Sequence, residues 1–141
     1  MSEISSRVRS TPLGLRILVV DDHPDAAELV SGLLELEGHH VRSAHNPEEA
    51  IRLAAEFQPQ VAFLDIGLPI MDGFQLAAAL RALPELQACR FIAITGYDDA
   101  EDRKQSRRAG FEAHLVKPIS FETLQRVLRV PRASGVRPAA G

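Results

Sequence analysis

Three acidic residues of this chain stand where apolar runs stop. Asp21 and Asp22 follow Ile17-Leu18-Val19-Val20, and Asp65 follows Val61-Ala62-Phe63-Leu64. Two more runs end on polar groups: Phe91-Ile92-Ala93-Ile94 at the hydroxyl of Thr95, and Ala113-His114-Leu115-Val116 at the ammonium of Lys117. Gathered carboxylates are the hard oxygen ligands Mg²⁺ prefers, and Mg²⁺ keeps several waters while sharing a phosphate oxygen. With a hydroxyl and an ammonium beside them, such a set reads as a site for a metal and a phosphoryl group. A doubly wound nucleotide binder would instead carry a Gly-rich phosphate loop after its first strand. Asp-Asp-His-Pro-Asp stands there, which repels a phosphate unless a cation intervenes.

Whether the five groups meet depends on the elements that carry them. Short β-type runs alternate with helical patterns five times. The strands are Arg16–Val20, the weaker His40–Ala44, Val61–Leu64, Phe91–Ile94 and Ala113–Val116. Pro24 suits a helix start, and Asp25 to Glu37 reads as a helix that Gly38 stops. Asn46 reads as an N-cap with Pro47 at the first helical position, opening a helix through Phe57. Further helices are expected over Gly73–Leu83, Asp99–Ala109 and from Ser120 onward. Strands one, three, four and five are continuous apolar runs, the pattern of strands covered on both faces. The fold class is therefore α/β, a doubly wound five-stranded parallel sheet in a three-layer αβα sandwich. In such sheets ligands bind outside the carboxyl ends of the strands, where all five chemical groups stand.

Composition narrows the function classes. Of 141 residues, 45% are hydrophobic and 25% charged, close to the globular averages, which excludes wholesale disorder. A single cysteine, Cys89, excludes an internal disulfide and a cysteine-built zinc site. Apolar runs of four or five residues are far short of the ~20 that cross a bilayer. No signal-peptide core opens the chain, so a cytoplasmic protein with no membrane partner is expected. The basic ends (Arg7 and Arg9; Arg132 and Arg137) leave the body more acidic than the net charge of −3, so direct nucleic-acid binding is not expected. Residues 1–15 are expected to be a flexible leader, 16–130 the folded domain and 131–141 a flexible tail, with no output domain after it.

Taken together, Val-Val-Asp21-Asp22, Phe-Leu-Asp65-Ile-Gly-Leu-Pro69-Ile-Met71-Asp72-Gly73, Ile-Thr95-Gly96 and Leu-Val-Lys117-Pro118 resemble the response-regulator receiver domains of two-component signalling, the single-domain chemotaxis-regulator type among them. The resemblance covers roughly residues 16 to 130. It implies a flavodoxin-like strand order 2-1-3-4-5 and a Mg²⁺-dependent phosphoacceptor served by a histidine kinase or a histidine phosphotransfer protein. Asp65 would take the phosphoryl group. Asp22 and Asp65 would hold Mg²⁺ directly, Asp21 mainly through water, and the Gly67 carbonyl would be a further ligand. Lys117 would ion-pair with the phosphoryl oxygens and Thr95 would hydrogen-bond them. The Lys117-Pro118 peptide would be cis. Output would be contact with an unknown downstream protein, or relay of the phosphate, with no turnover of an external substrate. A receiver belonging to a larger hybrid kinase is the nearest alternative. An aspartate-nucleophile phosphatase resembles Asp-x-Asp at its nucleophile, whereas position 67 is Gly; a phosphorylation-independent pseudo-receiver would have lost an acid or the lysine.

Other features have simpler readings beside functional ones. Asp21-Asp22 alone could be a loop or helix cap, Asp65 a turn former, and Asp72-Gly73 a turn and helix start. His23, His39, His40 and His45 read as solvated loop or strand-edge residues, because no spacing suits a facing ligand pair. Asp98 to Arg108 reads as a solvated helix face. In the first helix, Ala26, Ala27, Leu29, Val30, Leu33, Leu34 and Leu36 span about 180°, wider than the ~100° of a core-facing stripe. Either burial is deeper there or one edge docks a partner helix. His114 departs from the family pattern, which has a switch aromatic at that place; with Thr95 it is the candidate switch, or else a direct partner contact.

Overall fold

A computed structural model describes residues 14–67, 72–96 and 100–129, the side chains of 100–102 excepted. The expected leader and tail, the Leu68–Met71 part of the Asp65 motif and Asp98–Asp99 therefore fall largely outside the described residues. In chain order the elements are β1 (Arg16–Val20), α1 (Pro24–Leu36), β2 (His40–Ala44), α2 (Pro47–Phe57), β3 (Val61–Asp65), α3 (Gly73–Arg81), a 3₁₀ turn (Pro84–Leu86), β4 (Arg90–Thr95), α4 (Ala100–Arg108), β5 (Ala113–Val116) and α5 (121–129). All strand pairs are parallel, in the order β2-β1-β3-β4-β5.

Alternation along the buried strands divides the core in two. Leu18, Val20, Ala62, Leu64, Phe91 and Ala93 pack against α2 and α3. Ile17, Val19, Phe63, Ile92 and Ile94 face the opposite way, against α1 and α5. Each such large side chain contributes roughly 1.5–3 kcal/mol on burial, so the three central strands are pinned from both faces. β5 departs from expectation: of its four residues only Leu115 is buried. The strand order makes it an edge, covered by fewer neighbours than its apolar sequence suggests.

Local signals explain most boundaries. The Asn46 side chain accepts the Glu49 amide at 2.8 Å and Pro47 opens α2. Gly38, at φ +94°, ends α1 with a left-handed turn that a Cβ would oppose. α3 ends at Arg81, two residues before the expected Leu83. A residue before proline avoids the helical region, and Leu83 before Pro84 is extended at φ −77°, ψ 127°. Ser120 caps α5, its hydroxyl accepting the Thr123 amide at 3.1 Å.

Candidate functional site

Register brings the acidic groups together. β1 and β3 pair Val20 with Leu64, so the residues that follow, Asp21 and Asp65, emerge side by side. Asp65 pairs with Ile94, and Thr95 with Val116, which puts Thr95 and Lys117 at the same sheet edge. Asp21, Asp65 and Thr95 are buried, at 2%, 5% and 4% exposure. Burying carboxylates without partners is costly, and the partners are present. Lys117 Nζ lies 2.9 Å from Asp21 Oδ2 and 3.4 Å from Asp65 Oδ2. Asp65 Oδ1 accepts the Gly67 amide at 2.8 Å, and Asp21 Oδ1 accepts the His23 amide at 2.9 Å. The Lys117-Pro118 peptide is cis.

Burial and charge act differently on the two inner acids. Desolvation pushes the Asp65 carboxyl up, and the Gly67 amide and Lys117 offset only part of that. For Asp21 desolvation acts the same way, but the His23 amide and Lys117 outweigh it and hold the group below the ordinary carboxylate value. Burial alone would lower Lys117; its two carboxylate neighbours raise it instead.

Asp21, Asp22, His23 and Asp65 each offer a ligand atom, all within 4.8 Å of one another. Three carboxylates against one lysine leave this pocket with two uncompensated negative charges, which a divalent cation matches. The buried Asp22 Oδ1 has no hydrogen-bond partner, and His23 Nδ1 lies 3.3 Å from it. A buried carboxylate oxygen left without a donor suits a metal ligand, so the residues fit a hard divalent cation.

The histidines need correcting. His39 is no solvated strand-edge residue: it is 4% exposed, and its Nδ1 accepts the Leu15 amide at 3.1 Å. The His23 ring is exposed, as expected, yet its Nδ1 faces the acid cluster. Spacing could not find it, because its partners are its own two neighbours in sequence and not a facing histidine. His40 and His45 are exposed. Asp72-Gly73 is the helix start expected there, and Asp72 caps it, accepting the Gln75 amide at 2.9 Å while Gln75 Oε1 accepts the Asp72 amide at 3.3 Å. His114 is half-buried, its Nδ1 3.0 Å from Ser106 Oγ on α4.

Residues 17–129 match the family model described as the response regulator receiver domain. The chain belongs to that family. Protein PilH of Pseudomonas aeruginosa is 34% identical over 113 residues, 80% of this receiver and 93% of the relative. Chemotaxis protein CheY4 of Vibrio cholerae superposes with a TM-score of 0.77 at 28% identity, over 82% of this chain and 96% of the other. The receiver domain of sensor histidine kinase PA1611 from Pseudomonas aeruginosa, solved with a magnesium ion in its active-site cleft, gives 0.73 at 29% identity, over 82% and 94%. The receiver shares their flavodoxin-like topology. No helix among the described residues is long and apolar enough to cross a membrane.

Proposed function

We propose that this receiver is a Mg²⁺-dependent phosphoacceptor, loaded on Asp65 by a histidine kinase or a histidine phosphotransfer protein, and that it acts in the cytoplasm without turning over an external substrate. The observation that carries the reading is Lys117 Nζ between Asp21 and Asp65, with Asp22 in ligand reach of both. An Asp65 oxygen forms the new bond to phosphorus as the bond to the histidine nitrogen breaks, and the electron pair leaves with the imidazole. The Gly67 amide holds Asp65 Oδ1 in place, and burial keeps the carboxylate poorly hydrated. Asp22 and Asp65 would hold Mg²⁺, with Asp21 through water and the Gly67 carbonyl as a further ligand. Bound there, Mg²⁺ offsets the repulsion between an anionic nucleophile and an anionic phosphoryl group. Lys117, released from the carboxylates, and the Thr95 hydroxyl then meet the phosphoryl oxygens.

The wide apolar arc of α1 bears on the donor. Ala27, Val30 and Leu34 are buried, but Leu29 and Leu36 are 56% and 80% exposed. Ala26, Leu29 and Val30 line a cavity of about 320 Å³ with Pro118 and Ile119, and Asp21 and Lys117 stand at its wall. An apolar edge beside the phosphoacceptor suits docking of a helix that presents a phosphohistidine. The test is mass spectrometry after acetyl phosphate treatment. One base-labile phosphoryl group should appear with Mg²⁺ and none with a chelator; no adduct under either condition overturns the reading.

His114 links β5 to α4 through Ser106, and we place it, with Thr95, in the output switch. His114→Ala should leave phosphorylation of Asp65 within about twofold while weakening phosphorylation-dependent partner capture about tenfold, some 1.4 kcal/mol. Unchanged partner affinity, measured with and without phosphodonor, removes His114 from both the switch and the contact surface.

A further inference from the structure

Leu36 is the most exposed large apolar side chain among the described residues, at 80%. The cavity beside the phosphoacceptor accounts for Leu29, which lines it, but not for Leu36. Leu36 stands about 10 Å further along α1, at the amino-terminal edge of the sheet. At 100° per residue Ala26, Leu29, Leu33 and Leu36 fall within about 80° of arc, so one apolar strip runs the length of α1. Asp25, Glu28 and Glu35 border it on the side turned from the core, all exposed, and α1 carries no basic residue. Among the described residues none of these three acids forms an ion pair. The complement of such a surface is an apolar segment that bears arginines or lysines.

A segment of that kind leaves the fold at the same edge. α1 and α5 share one face of the sheet, with Leu33 and Leu34 of the first and Val127 and Leu128 of the second in one cluster. Both run back to the amino-terminal edge. His39, just beyond α1, accepts the Leu15 amide ahead of β1, and Arg90, which opens β4, donates to the Val127 and Leu128 carbonyls. Residues 130–141, Val-Pro-Arg-Ala-Ser-Gly-Val-Arg-Pro-Ala-Ala-Gly, follow α5 and lie outside the described residues; they hold Arg132 and Arg137 and no acid. We infer that this segment straps back over Leu36, Leu33 and Leu29 of its own chain, with Arg132 against Glu35 and Arg137 against Asp25. The lengths agree. Five extended residues between the arginines cover about 15 Å, and so do ten helical residues from Asp25 to Glu35. Val130 and Val136 then fall on the apolar strip. Pro131 and Pro138 favour the extended backbone that the strap needs, which limits the entropy lost on docking. The covalent link holds the segment at an effective concentration in the millimolar range, so weak contacts suffice. Docked there, it covers part of the edge that suits a donor helix, which must displace it; that consequence rests on the donor reading, and the docking does not.

The test is paramagnetic broadening of amide signals, with a nitroxide attached at Ser134→Cys in a Cys89→Ala background of the full, tag-free chain. Amides of residues 29–36 should lose most of their intensity, while those of α3, on the opposite face, stay sharp. The double variant Arg132→Glu/Arg137→Glu should restore the α1 signals, as should about 1 M salt, which screens charges beyond ~3 Å. Sharp α1 signals in the chain that keeps both arginines overturn the inference. So does broadening that charge reversal leaves unchanged, the mark of a segment that passes α1 without docking. If an isotope-labelled chain is broadened by a spin-labelled copy mixed with it, a second copy covers the strip, and the inference again falls. A chain ended after Arg129, with Cys89 in place, gives an independent measurement. Its amide signals should shift at residues 29–36 relative to the full chain, and identical α1 spectra overturn the inference. No phosphoryl group enters either measurement, so both stand whatever becomes of the phosphoacceptor reading.

Discussion

Asp65→Asn should take up no phosphoryl group from acetyl phosphate and Mg²⁺ under conditions expected to label the wild-type chain. The amide keeps the shape of the carboxylate and can still accept the Gly67 amide, now 2.8 Å from Oδ1, so the loss comes from chemistry and not from misfolding. The same variant has a second, opposite effect. Burial raises the Asp65 pKa, so the folded chain binds that proton more tightly than the unfolded chain does. Stability in chelator therefore falls as pH rises from the unfolded carboxyl value, 3.8, through the raised folded value, and at neutral pH the ionised group is a net cost. Asp65→Asn should melt a few degrees above wild type in chelator near pH 7, and the difference should vanish below pH 3.8. Mg²⁺ at a hundredfold its dissociation constant adds about 2.7 kcal/mol to the wild type, and less to a variant lacking one ligand, so the order of melting inverts. Labelling that persists in Asp65→Asn moves the phosphoacceptor elsewhere; a variant that melts below wild type in chelator removes the charge argument.

How much of this is legible in the sequence depends on the kind of signal. The acidic edge is, because each carboxylate interrupts an apolar run, and parallel strands end on one side of a sheet. The strand order is not; it came from the resemblance, since no pairwise signal in the sequence ranks β2 beside β1. β5 misled for the same reason. Ala113–Val116 reads as an apolar run interrupted only by His114, and the order makes it an edge. The α1 pattern was legible as too wide for a core stripe, but periodicity cannot tell which edge stays exposed; Leu29 and Leu36 do. His39 failed because burial of a lone histidine turns on one partner far away in sequence, the Leu15 amide.

Gly73→Ala should cost about 3 kcal/mol and slow phosphorylation several-fold, although Gly73 touches none of the chemistry. A glycine after the capping Asp72 looks like an ordinary helix start, where alanine is welcome. Here a Cβ would meet Ile66 Cα at 2.5 Å and the Asp65 carbonyl oxygen at 2.9 Å, with Ile66 Cγ2 also at 2.9 Å. Two of the three neighbours are backbone atoms, which cannot rotate aside, so the first turn of α3 and the end of β3 must separate. Ile66 donates its amide to the Ile94 carbonyl at 3.0 Å, tying it to β4, and the next residue is the Gly67 whose amide holds Asp65. Separation therefore strains the loop that orients the phosphoacceptor. A loss of this size should lower the melting temperature by about 10 °C. Gly32 is the control: it lies inside α1 with nothing within 4 Å of a Cβ, so Gly32→Ala should stabilise by about 0.5–1 kcal/mol and leave labelling unchanged. Thermal melts and initial labelling rates on both variants decide the matter. If Gly73→Ala melts with wild type and labels at its rate, the close packing of α3 on β3 is not what orients Asp65.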